Sequence, residues 1–298
     1  MNNAKGKTSL KLGIADMVAN FVPGSGNPIG IPEATWQTMK PLEKLSIVID
    51  IIKHSGFDYV ELGIPWINDI SQEYTSEDVF SLVKEKNMTV GSFCSLMPAT
   101  LKVVGPNTDK IKIREYLENV FLNCSKIGGD VIVFGSGDSR NVPEGYSYEN
   151  AEQDILNFLN TAAEIIERNK YDLKLVIESL NTEECNYINT LEEAYNIACK
   201  VDATSIGIVI DTFHAYRQKR NVIEEIPDII DKVLHLHLAQ PEDRRWPGSL
   251  QQEDSFDFIE FFGALKDNGY NGNATVECNF DNMQEQIGPC GETLKAMV

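Results

Sequence analysis

Lys174-Leu175-Val176-Ile177-Glu178 and Ile206-Gly207-Ile208-Val209-Ile210-Asp211 share one form: a near-continuous apolar run that closes on an acid. Runs of this kind are expected of parallel strands, which are covered on both faces and so lack a polar side. Working outward, the same short β-branched runs occur at Leu12–Ala15, Tyr59–Leu62, Thr89–Phe93, Val131–Phe134, Val233–Leu238 and Ala274–Cys278, which makes eight. Between them the periodicity changes to 3.6 residues. Leu42 to His54 places Leu45, Val48, Ile49 and Ile52 on one helical face, and Gly56 follows as a stop. Ala151 to Arg168, Leu191 to Cys199 and Phe258 to Lys266 repeat that pattern. Strand and helix alternating eight times predict a single (β/α)₈ TIM barrel over residues 1–298, a length that suits this fold. An open doubly wound sheet is the other arrangement with this alternation. It would normally carry a Gly-rich phosphate loop after its first strand. Ala15 to Ile31 contains Gly24, Gly26 and Gly30, but no helical pattern starts directly there, so the segment reads as a long active-site loop.

The bulk properties exclude several classes of function. A hydrophobic content of 42% fills a large core without staples. No run of 18 apolar residues is present, so no membrane helix is expected. The start, Met1 to Lys11, is polar and lacks the apolar stretch of a signal peptide, which points to the cytoplasm. A formal charge of -19, with Arg217, Lys219 and Arg220 as the densest basic group, disfavours nucleic acid as a partner. The six cysteines, Cys94, Cys124, Cys185, Cys199, Cys278 and Cys290, form no C-x-x-C pair and read as reduced thiols.

In a TIM barrel the working residues sit at the C-terminal ends of the strands. Four consecutive predicted strands end in or contain Glu178, Asp211, His237 and Glu277. Any one of these acids alone is as readily a helix cap or a solvated loop residue. Four at one level form a mixed oxygen and nitrogen donor set, suited to a hard or borderline ion such as Mn²⁺, Mg²⁺ or Co²⁺. Without a cation, three crowded carboxylates would raise one another's pKa. His235 and His237 lie two apart on a strand and point to the same face, so the one nearer the C-terminal end, His237, is the expected ligand and His235 a buried partner behind it. His214 follows Asp211 on the next loop, within reach of a substrate oxygen, with a structural role as the alternative. His54 sits at a helix end and is given no role. Glu61 either hydrogen-bonds a sugar or orients a neighbour. Phe134-Gly135-Ser136-Gly137-Asp138-Ser139-Arg140 is either a substrate-facing loop or a plain turn.

The set Ile177-Glu178-Ser179-Leu180-Asn181, Asp211-Thr212-Phe213-His214, His235-Leu236-His237 and Val276-Glu277 resembles the xylose-isomerase-like TIM-barrel superfamily. Within it the chain is most similar to the sugar phosphate isomerase/epimerase group that includes the tagatose and psicose 3-epimerases. The likeness runs from about Val131 to Glu277. It implies one divalent ion, Mn²⁺ foremost with Mg²⁺, Co²⁺ or Zn²⁺ as alternatives, held by Glu178, Asp211, His237 and Glu277. It also implies that Glu178 and Glu277 move the proton and that Glu184, His214 and Arg244 contact a small sugar substrate. In the epimerases a Gly-Glu-x-Asn-Arg stretch follows the metal histidine. Here Leu238-Ala239-Gln240-Pro241-Glu242-Asp243-Arg244 lacks the Gly-Glu and displaces the arginine by one residue. The expected activity is sugar, or sugar phosphate, isomerisation or epimerisation through an enediolate. A metal-dependent lyase acting on 3-oxo-glycosides is the alternative. An endonuclease-IV-like phosphodiesterase is disfavoured, because it needs a histidine-rich three-zinc site and the chain has four histidines in all. A homo-oligomer is left open.

Overall fold

Eight parallel strands close into a barrel in sequence order: β1 (Leu12–Ala15), β2 (Tyr59–Gly63), β3 (Val90–Cys94), β4 (Val131–Phe134), β5 (Lys174–Glu178), β6 (Ile206–Asp211), β7 (Val233–Leu238) and β8 (Asn273–Val276). The computed structural model describes residues 10–16, 29–68, 73–250 and 256–298. Most of the Ala15 to Ile31 loop, with Gly24 and Gly26, lies outside the described residues, as does most of the polar start. The surrounding helices are α1 (Glu33–Thr38), α2 (Pro41–His54), α3 (Ser76–Glu85), α4 (Lys110–Ile127), α5 (Gly137–Arg140), α6 (Tyr148–Asn169), α7 (Leu191–Val201), α8 (Thr212–Arg217), α9 (Val222–Ile229), α10 (Phe258–Asp267) and α11 (Met283–Met297). The fold is the expected TIM barrel. No helix among the described residues is long and apolar enough to cross a membrane.

Local chemistry explains the elements. Helix α2 has Pro41 at its first position, where a missing N–H costs nothing, and buries Leu45, Val48, Ile49 and Ile52. Helix α7 starts in a capping box: Thr190 accepts from the Glu193 N–H, and the Glu193 carboxylate accepts from the Thr190 N–H. Five of the six cysteines are buried, and all six are free thiols. Strand β8 ends at Val276, so Glu277 stands one residue beyond the strand.

The space enclosed by the strands is divided. On the side of β4, β5 and β6 it is filled by a small cluster of Val131, Val133, Val176 and Val209, separate from the main core. On the side of β2, β3, β7 and β8 it is polar, with Tyr59, Glu61, Ser92, His235 and Thr275 hydrogen-bonded to one another. Two irregularities in register shape these halves. Between β2 and β3 the pairing steps from Val60↔Val90 to Glu61↔Ser92, leaving Gly91 as the extra residue. A Cβ on Gly91 would lie 2.4 Å from the Tyr59 ring, and one on Gly13 of β1 would lie 2.0 Å from it. Bare backbone on both flanks thus makes room for the Tyr59 ring. Between β6 and β7 the pairing steps from Ile208↔Val233 to Val209↔His235, leaving Leu234 extra.

Candidate metal centre

The strands deliver four donors to one place at the C-terminal end of the barrel. Asp211 ends β6 and is paired in register with His237 of β7. Glu178 ends β5, and Glu277 follows β8 with its N–H on the Leu238 carbonyl at 3.2 Å. His237 Nδ1 lies 3.0 Å from Glu178 Oε1, 2.8 Å from Glu277 Oε2 and 3.8 Å from Asp211 Oδ2. Donor atoms of all four residues lie within 4.8 Å of one another. Ligands bound at about 2.0–2.3 Å to a common ion stand no more than about 4.6 Å apart, so a small inward adjustment would close this set on a divalent cation. The donor chemistry fits as well, because three carboxylates around a single imidazole are short of positive charge.

The electrostatics carry that mark at one carboxylate of the three, while Arg244 and the histidines reverse it at the other two. Burial drives the Glu178 carboxyl upward, Glu277 adds to the rise, and His237 only partly opposes it, so the group sits above the usual range. Burial also raises Asp211, but His214, Arg244 and His237 outweigh it and leave the group low. Burial acts on Glu277 in the same way, and Arg244 with His237 reverses it. Burial works against a charged His237, yet Glu61, Glu277 and Glu178 hold its pKa well above the ordinary value.

Arg244 approaches from the loop after β7. Its Nη2 donates to Glu277 Oε2 at 2.7 Å and to Asp211 Oδ2 at 3.3 Å, and its guanidinium lies over the Phe213 ring. His214 is buried. Its Nε2 lies 3.9 Å from Asp211 Oδ2, and its Nδ1 lies 3.0 Å from the Asn181 side-chain nitrogen. Glu184 accepts from Asn181 at 2.9 Å. Glu184, His214 and Arg244 all line a cavity of about 280 Å³ with Glu178, His237 and Glu277 at its base. The structure therefore brings together every site residue singled out from the sequence.

Other residues around the site had an open reading, or none, in the sequence. Arg140 is fully buried, and its guanidinium donates to the carbonyls of Phe134 at 3.0 Å and of Glu178 at 2.7 Å. It ties the end of β4 to the residue that presents the Glu178 carboxylate. The loop that carries it is a short helix, and its first glycine has a packing role: a Cβ on Gly135 would meet Glu178 Oε2 at 2.2 Å. Asp16 also follows an apolar strand, but its carboxylate accepts from the Trp66 indole at 3.0 Å and does not join the donor cluster. Glu61 is not among the residues that line the cavity. It is fully buried beneath the centre and lies against the histidines of β7. The period-two spacing of His235 from His237 was the sequence signal for this lower layer.

A closed parallel barrel with a carboxylate–imidazole cluster at the C-terminal ends of its strands defines a class of proteins, the TIM barrels with a possible metal site. The sequence profile of the xylose isomerase-like TIM barrels matches residues 49–296, and the chain belongs to that family. It is 28% identical over 239 residues to a "Probable ketose 3-epimerase" of Synechocystis sp., covering 78% of each chain. It is 25% identical over 267 residues to a D-psicose 3-epimerase of Enterocloster bolteae, covering 85% of this chain and 82% of that one. Among solved structures, a D-allulose 3-epimerase from Methylomonas sp. superposes with a TM-score of 0.77 at 18% identity, covering 97% of this chain and 98% of the other.

Proposed function

We propose that this protein is a divalent-metal-dependent sugar isomerase or epimerase, with Mn²⁺ the first candidate ion, held by Glu178, Asp211, His237 and Glu277. The observation that carries the reading is the approach of Glu178 and Glu277 to the same His237 nitrogen, at 3.0 and 2.8 Å, from elements well separated around the barrel. Two carboxylates so placed flank whatever lies between them. When bound, a divalent ion would polarise a ketose carbonyl and its neighbouring hydroxyl, which acidifies the C–H between them and stabilises the enediolate. Glu178 removes the proton on one face and keeps it, while Glu277, protonated beforehand, delivers its own proton to the other face, or the reverse, which inverts the carbon. Arg244 holds the Glu277 carboxylate in place, and Glu184 and His214 offer polar atoms to the remaining hydroxyls.

The charge of the cavity favours an unphosphorylated sugar. Among the described residues that line it, Arg244 is the only Lys or Arg, and it already serves Glu277 and Asp211, while Asp138 and Glu184 add negative charge to the wall.

The test is solvent exchange. Protein loaded with Mn²⁺ or Co²⁺ is incubated in D₂O with free and phosphorylated ketoses. Deuterium should enter at C3 for an epimerase, or at C1 or C2 for an aldose–ketose isomerase, with the free sugars exchanging faster. Glu178→Gln and Glu277→Gln should each abolish turnover, since each removes a proton-transfer group. Release of the aglycone from a 3-oxo-glycoside with no exchange into any ketose would replace this reading by a lyase.

A further inference from the structure

Beneath the donor cluster, Glu61 is a carboxylate with no exposure to solvent, and the mechanism above makes no use of it. Enclosing such a group is costly unless donors surround it. Three do. Ser92 Oγ donates to Glu61 Oε2 at 2.6 Å, and His235 Nε2 lies 3.1 Å from the same oxygen. His237 Nε2 lies between both oxygens, 3.1 Å from Oε1 and 3.3 Å from Oε2. An ionised carboxylate only accepts, so the His237 proton on this side sits on Nε2. Nδ1, turned to Glu178 and Glu277 at 3.0 and 2.8 Å, is then the nitrogen whose proton a bound ion would replace.

The division of the barrel interior gives this contact its meaning. Glu178 and Asp211 stand on the valine half, two residues beyond Val176 and Val209. A carboxylate has equivalent oxygens and needs no tautomer chosen for it. His237, the one imidazole of the donor set, does need one, and it stands on the polar half. That half is a connected network. Thr275 Oγ1 is 3.0 Å from His235 Nε2 and 2.9 Å from the Tyr59 hydroxyl, and the Tyr59 ring is held by the glycine flanks of β1 and β3.

We propose that Glu61 is a positioning residue of the centre: it holds the His237 ring as the Nε2–H tautomer, with Nδ1 presented to the divalent ion, and Ser92 and His235 hold Glu61 in turn. This inference rests on the metal-dependent reading above. Glu61, His235 and His237 also bring donor atoms within 4.8 Å of one another, as a second ion site would. An ion there would have to expel the protons that His235 and His237 direct at Glu61 and leave His237 bridging two cations. One ion per chain is the expected stoichiometry.

Glu61→Gln and Glu61→Leu test the assignment with two readouts other than activity. Nitrogen-15 NMR of the histidine rings, in metal-free and Mg²⁺-loaded protein, should show a slowly exchanging Nε2 proton on His237 in wild type. Gln keeps an acceptor and should retain that signal, whereas Leu should lose it. Affinity for Mn²⁺, measured by competition with a chelator, should fall about 10-fold for Gln and roughly 100-fold for Leu, the range for loss of a group that orients a metal-binding histidine. Metal-free Glu61→Gln should melt close to wild type, which separates positioning from a general loss of structure. It also keeps the test decisive should Glu61→Leu not fold. Wild-type Mn²⁺ affinity in Glu61→Gln, a proton on Nδ1 in the Mg²⁺-loaded protein, or two ions per chain falling to one in Glu61→Leu would each overturn the proposal. If wild type takes up no divalent ion, the metal-dependent reading fails, while the Nε2–H signal still reports whether Glu61 sets the tautomer.

Discussion

Gly135 shows how a single residue can govern the centre without touching a substrate. The space its missing side chain leaves is occupied by a carboxylate oxygen of Glu178, which a Cβ would meet at 2.2 Å. Gly135→Ala should therefore leave the barrel folded and push the Glu178 carboxylate out of line. A displacement of about 1 Å at a reacting group costs on the order of 100-fold in rate. We expect turnover to fall by about that factor and Mn²⁺ affinity to drop with it. Steady-state kinetics and metal competition on the purified variant check this. A variant with wild-type kcat and metal affinity would show that Glu178 reaches its working position by another path. Arg140 completes the arrangement from the backbone side, through its bond to the Glu178 carbonyl. Neither contact was legible in the sequence, where Phe134 to Arg140 offered only glycines, serines and charges that any loop might carry. The donors themselves were legible, because an acid at the end of an apolar run is a local feature.

At the scale of the element, the strands were read to within a residue or two, whereas their irregularities were not. Thr89–Phe93 and Ala274–Cys278 were expected where the strands run Val90–Cys94 and Asn273–Val276. Periodicity identifies a strand, but a register step depends on what the neighbouring strand must accommodate. Here it is the Tyr59 ring that demands Gly13 and the extra Gly91. Gly13→Ala should cost about 1–3 kcal/mol of stability, the usual range for overpacking. Combined with Tyr59→Leu, which removes the ring, the same substitution should cost far less. Urea denaturation of the four proteins of this double-mutant cycle measures the coupling. Additive effects would mean that the two residues do not meet.

For the whole molecule, the proposed metal site predicts that stability depends on a divalent ion. A ligand that binds only the folded chain at 100 times its Kd adds about 2.7 kcal/mol. Mn²⁺ should raise the melting temperature of wild type, EDTA should reverse the rise, and Asp211→Asn should remove most of it. Calorimetric scans with and without metal decide the matter, and an equal shift in wild type and Asp211→Asn would place the ion elsewhere. The alternation of strand and helix, the identity of the class and the positions of Glu178, Asp211, His237 and Glu277 all lay in the sequence, because hydropathy periods and strand-end acids are set by near neighbours along the chain. Only the closed barrel decided that Asp16 turns to Trp66 while the other four converge, that Glu61 meets His237 from 176 residues away, and that valines fill one half of the interior and polar groups the other. Those facts depend on which strands face one another once the sheet has closed, and the distances across a barrel are not carried by any local stretch of chain.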